Sequence, residues 1–128
     1  MKFAQKSPPR RFAVGNADKI EIRDCGTLAL EPDEQVTLVT ESGAEYDVAR
    51  KDWGFYATPS LNGRLESCGL RGVLIRNTLT DRYFVLLVER GREDGFSAYM
   101  ARESLEVVAW LDSTTALDRL CGLLRGMD

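Results

Sequence analysis

The chain has 128 residues, 44% of them apolar and 29% charged, with a net charge of −3 and no histidine. That length suits one domain with a core that needs no staples, and no apolar run approaches the roughly 20 residues of a membrane helix. The missing histidine excludes Ser-His-Asp and Cys-His nucleophile systems, H-E-x-x-H zinc sites and imidazole general bases together.

The N-terminal stretch carries Lys2, Lys6, Arg10 and Arg11 before the first acid, Asp18. Residues 1–17 therefore read as a basic arm of charge +4 ahead of a single α+β domain, 18–128. The other 13 basic and 20 acidic side chains give that domain a charge of −7. Four charges interrupted by "SPP" make too narrow a footprint for phosphate-backbone binding, and the acidic body repels a polyanion, so nucleic acid is disfavoured. The expectation is a solvated or loosely docked terminus. It lacks the apolar stretch of a secretory signal, so the expected location is cytoplasmic with no membrane contact.

Strand patterning follows. "DKIEIRD" alternates Ile20 and Ile22 with Glu21 and Arg23, and "DCG" at 24–26 has turn chemistry. "TLALEP", "QVTLVT" and "AEYDVA" continue the alternation, with "ESG" at 41–43 as a hairpin signal. Four short strands then form an antiparallel β-meander. "GLRGVLIRN" and "RYFVLLVERG" flank "TLTD" as a second hairpin. Tyr83 to Val88 is apolar on both faces, the signature of a strand covered on both sides and central in its sheet. Phe96, Tyr99, Met100 and Glu103 or Ser104 recur at helical spacing behind the acids Glu93 and Asp94. "EVVAWLD" reads as a buried strand running parallel to the one before that helix, reached by a crossover. Asp112 or Ser113 then caps a last helix with Leu117, Leu120, Cys121 and Leu124 on one stripe. The predicted architecture is a β-meander followed by a β-hairpin–helix–strand–helix unit. Its strands would form a single mixed sheet or partly closed barrel with two helices packed on it.

The segment "RKDWGFYATPSLNGRL", 50–65, obeys neither period. "TPS" and "NG" predict two bends between Thr58 and Gly63. The bland expectation is that Trp53, Phe55 and Tyr56 plug the open end of a small sheet. The alternative is a pocket in which Trp53 and Tyr56 stack on a ring, Thr58, Ser60 and Asn62 supply directional hydrogen bonds, and Arg50, Arg64 or Arg71 grips an anionic group. Such a pocket would suit a nucleotide, nucleotide-sugar or carbohydrate.

Other chemistry is thin. "LNGRLESCGLRG" is neither a P-loop nor a dinucleotide fingerprint. Glu41, Glu45 and Asp47 read as a charged outer face, with Tyr46 and Val48 inward, rather than as a cation site. Cys25, Cys68 and Cys121 are odd in number and widely spaced, so buried free thiols are expected, and Cys25 has only Arg23 nearby to activate it. No metal or cofactor is nominated. The leading expectation is a non-catalytic accessory protein that acts through a protein surface and self-associates. Behind it stands a small-ligand module using 50–65, and behind that a histidine-free enzyme using a carboxylate such as Asp52.

Overall fold

The computed structural model describes residues 1–16, 19–57 and 59–127. The boundary drawn between 17 and 18 lies outside the described residues. The chain is α+β, with eight strands in three antiparallel sheets and three helices among the described residues. In order they are β1 (Lys2–Val14), β2 (Ile20–Ala29), β3 (Gln35–Val39), β4 (Glu45–Lys51), β5 (Gly54–Tyr56), α1 (Arg64–Ser67), β6 (Leu70–Asn77), β7 (Tyr83–Glu89), α2 (Glu93–Arg102), β8 (Leu105–Trp110) and α3 (Thr114–Arg125). The expected single mixed sheet or partly closed barrel is replaced by a β1–β2 ribbon, a β3–β4–β5 sheet and a β7–β6–β8 sheet. The order hairpin, helix, strand, helix stands as expected in the C-terminal half. No helix among the described residues is long and apolar enough to cross a membrane.

The N-terminal basic stretch is a strand rather than a loose arm. Lys2–Gln5 pairs with Gly26–Ala29, and Arg10–Val14 pairs with Ile20–Asp24. Between them the register slips, so that residues 6–9 oppose Cys25 alone. Pro8 and Pro9 have no N–H to give a ladder, so a bulge is where a strand can hold them. Asp24 anchors it: its carboxylate accepts from Lys6 Nζ at 2.5 Å, Arg10 Nε at 3.3 Å and the Gly26 N–H at 3.2 Å. These bonds, the Lys6 bond foremost, hold its pKa below the ordinary value. The predicted turn at 24–26 is thus an irregularity inside one long strand, because β1 supplies a ladder on both sides of it. Gly26 is obligatory there, with φ +152° and the Phe3 ring and Ala4 carbonyl occupying the space of a Cβ.

The strand at the centre of the C-terminal sheet is β6, not β7. β6 pairs antiparallel with β7 on one side and β8 on the other, so β7 and β8 run in the same direction with β6 between them. Two cores lie on opposite faces of β6. On one, Val73 and Ile75 meet Val88, Leu86, Leu105 and Trp110 under Met100 and Phe96 of α2. The Phe96 and Trp110 rings meet edge to face at 5.8 Å. On the other, Leu70 and Leu87 pack against Leu65 of α1, Leu61, Ala44 and Tyr46. Gly72 admits the second cover, since a Cβ there would lie 2.9 Å from Leu61 Cδ2.

α2 lies over the sheet as its periodicity predicts, whereas α3 does not. Ser113 caps α3, its Oγ accepting the Ala116 N–H at 3.0 Å, yet no α3 side chain is buried. β7 and β8 are edges, and Tyr83, Phe84, Val85, Val107 and Val108 are exposed. Cys25 and Cys121 are exposed rather than buried, and Cys68 is half-buried; all three are free.

A clasp ties the central strand β6 and the end of β8 to the start of α2. Arg71 on β6 gives Nε to Asp112 at 2.6 Å and a terminal nitrogen to Glu93 at 3.2 Å, and its guanidinium lies 4.0 Å over Trp110. The bond from Arg71 holds the Asp112 carboxyl below its usual value. A depressed carboxyl stabilises the fold above its unfolded pKa of about 3.9, and that contribution is lost as pH falls through the folded value. Urea titrations from pH 7 to pH 3 should show wild-type stability dropping in the acid limb, with a shallower drop in Asp112→Asn. Arg71→Met should cost about 2 kcal/mol at pH 7, because it strands Asp112 without its partner.

Candidate functional site

The 50–65 segment builds one wall and one end of an open groove. Gln35, Ala49 and Tyr56 stand opposite one another across β3, β4 and β5, and Asp47 lies two residues from Ala49 on the same face. Pro59, Ser60 and Arg64 stand over that face, enclosing about 320 Å³. Ser60 Oγ accepts the Arg64 N–H at 2.7 Å, which starts α1 beneath the groove. Arg64 reaches Asp47 at 2.6 Å, and Thr37 Oγ1 donates to the same carboxylate at 2.7 Å. Thr37 first and Arg64 second hold the Asp47 pKa down. Asp47, expected on a solvated face, keeps only 12% of its side chain exposed. A hydroxyl, a fixed ion pair and a phenol ring thus line one concavity.

The structure brings together Tyr56, Ser60 and Arg64 from the expected set and separates the rest. Trp53 sits on the β4–β5 turn, 70% exposed, and does not line the groove. Phe55 and Tyr56 are exposed as well, so the aromatics do not plug the sheet. Gly54, with φ +143°, lets β5 fold straight back on β4, and the alternation of β5 then puts Phe55 and Tyr56 on opposite faces of that sheet, Tyr56 on the groove side. Asn62 Nδ2 donates to Thr114 Oγ1 at 3.1 Å and tethers the start of α3. Arg50 donates to the Leu30 carbonyl at 2.9 Å, and Arg71 belongs to the clasp. Asp52 is exposed in the β4–β5 turn, and Thr58 lies outside the described residues. No group of metal-ligating side chains occurs among the described residues.

Sequence reasoning missed a second concavity of about 280 Å³. It lies where the β1–β2 ribbon touches α2, over Ile75, Phe84, Leu86 and Leu105, with Asn16, Asn77, Tyr99 and Glu103 at its polar side. Glu103 is buried and accepts the Asn16 N–H at 2.9 Å. The signal was available, since a carboxylate at the i+7 position of an apolar helix stripe belongs to a core position and needs a partner there.

The largest feature is the apolar surface itself. Only eight apolar side chains are buried among the described residues: Ala44, Pro59, Leu65, Leu70, Val73, Ile75, Val88 and Met100. The chain exposes 9201 Å². Its 14.3 kDa correspond to about 6,800 Å² in a compact monomer. β1 and β2 contain no buried residue and are strapped down near their two ends. Met1 N lies 2.9 Å from Glu34 at one end and Asn16 binds Glu103 at the other.

Comparison with known proteins adds no relative: no family model, no curated protein and no solved structure matches this chain. The surface and the groove therefore carry the functional reading themselves. The two tryptophans offer a direct check of the geometry. Acrylamide should quench Trp53 efficiently and Trp110, which lies under Arg71 and against Phe96, poorly; Trp53→Phe should remove the accessible, red-shifted component of the emission.

Proposed function

We propose that this protein is a non-catalytic interaction protein whose folded state is completed by association through its apolar surface. The observation that carries this reading is the excess of about 2,400 Å² over the surface of a compact chain of its mass. A standard interface covers only about 800 Å² per partner, so the excess is of the size that obligate interfaces remove from water. The exposed groups are also of the right kind. Phe3, Phe12, Ile20 and Ile22 on the ribbon, Tyr83 to Val85 on β7, and Leu123 and Leu124 on α3 are all uncovered. Scattered apolar residues are ordinary on a surface, but whole elements without a buried side chain are not. A two-stranded ribbon is marginal in water by itself, and α3, at 12 residues, is near the lower limit for an isolated helix.

Sedimentation velocity at tens of micromolar should give a dimer or larger species, and the midpoint of thermal unfolding should rise with protein concentration. A compact monomer with a concentration-independent midpoint overturns the reading.

The groove supports a second reading, a small-ligand module, because Tyr56, Ser60 and Arg64 converge there beside Asp47. A phosphate or carboxylate on such a ligand would compete with Asp47 for the Arg64 guanidinium, and the Tyr56 ring would stack on its base or sugar. A thermal-shift screen of nucleotides, nucleotide-sugars and oligosaccharides should then show stabilisation by one class, abolished in Arg64→Ala. No shift across the panel rejects this reading.

A further inference from the structure

We infer that two copies of the chain join through β7, edge to edge and antiparallel about a two-fold axis at Val85, making one six-stranded sheet with β7 at its centre. The inference rests on the association proposed above and names its interface.

The physical motive is a conflict between the composition of β7 and its position. Tyr83-Phe84-Val85-Leu86-Leu87-Val88 is apolar on both faces, as in strands covered on both sides, yet β7 is an edge. The β6 register assigns the faces. Phe84 and Leu86 lie with Ile75 and Val73 on the α2 side, and Val85 lies with Leu74 on the other. The uncovered residues alternate between these faces: Phe84 on one, Tyr83 and Val85 on the other, with Val85 57% exposed. One covering helix could reach only one face, whereas a strand added at the edge extends both at once.

The outer edge of β7 carries none of the usual protection. Between Arg82 and Glu89 there is no lysine, no proline, no inward charge and no register slip. A long, regular apolar edge of this kind pairs with another strand, productively or by aggregation.

The sequence selects a second copy as the occupant. Antiparallel pairing about a two-fold axis is self-complementary, and same-face residues must pair. Centred on Val85, the pairing sets Val85 against itself, Phe84 against Leu86, and Tyr83 against Leu87 of the second copy. All five pairs are apolar, and the α2 helices of both copies lie on one side of the joined sheet. The excess surface is that of the whole chain, ribbon and α3 included, so it supports association in general while the β7 register names the interface.

Two variants test this. Val85→Lys places a charge where the residue is already exposed, so the monomer fold should survive in far-ultraviolet circular dichroism. Its dimer dissociation constant, from sedimentation equilibrium, should rise at least 100-fold. A Val85→Cys variant in a Cys25→Ser, Cys68→Ser, Cys121→Ser background places two thiols across the axis, with Cα atoms about 4.5–5.5 Å apart, within disulfide reach. Mild oxidation should convert it to a covalent dimer on a non-reducing gel, while Val108→Cys on β8 in the same background stays monomeric on that gel. A wild-type dimer unaffected by Val85→Lys, or Val85→Cys cross-linking no faster than Val108→Cys, overturns the β7 interface but leaves association standing. A wild-type chain that is monomeric at all concentrations overturns both.

Discussion

Burial on both faces of one strand is the interaction on which this fold depends. β6 gives Val73 and Ile75 to the core beneath α2 and Leu70 to the core beneath α1, with Gly72 opening room for Leu61 on the second side. Arg71, on the same strand, clasps Asp112 and Glu93 and stacks on Trp110. Every other element is organised by distance from β6. β4 reaches it through Tyr46 and through Ala44 just before the strand, and the ribbon reaches its neighbourhood through the Asn16–Glu103 bond. Elements that do not reach it, above all α3, bury nothing.

That dependence explains the unusual exposure of the chain. Each flank of a small sheet can be covered only as far as its helices and turns extend. α2 has 10 residues and α1 has four, so the cover ends before Tyr83 and Val85 on one side and Val107 on the other. The hydrophobic gain left unrealised at these positions is available to association, at roughly 25 cal/mol for each Å² removed from water, against the costs of ordering two chains. The groove beside Asp47 is small by comparison, and its ion pair is already satisfied within the chain.

Local chemistry was legible in the sequence where a signal stands alone. The α2 stripe through Phe96 and Met100, the Ser113 cap and the 77–83 hairpin are all where periodicity and turn residues put them. Three features were illegible for physical reasons. Asp24-Cys25-Gly26 has the composition of a turn, and only the long partner strand β1 makes it a bulge. α1, at four residues, is too short to show a period. The two-sided apolarity of β7 indicated a central strand, whereas the chain pairs it with β6 alone and leaves it at the edge, because apolarity does not specify which strand lies alongside. Of the site, Tyr56, Ser60 and Arg64 were legible as a cluster, and Asp47 was hidden by strand alternation that placed it outside.

Amide hydrogen exchange followed by mass spectrometry, at concentrations spanning the association range, tests the central claim most directly. The expected result is that residues 83–88 reach the protection of 70–77 as concentration rises, with the amides that face away from β6 included. Protection confined to 70–77 at every concentration, with 83–88 exchanging as a free edge, would contradict it.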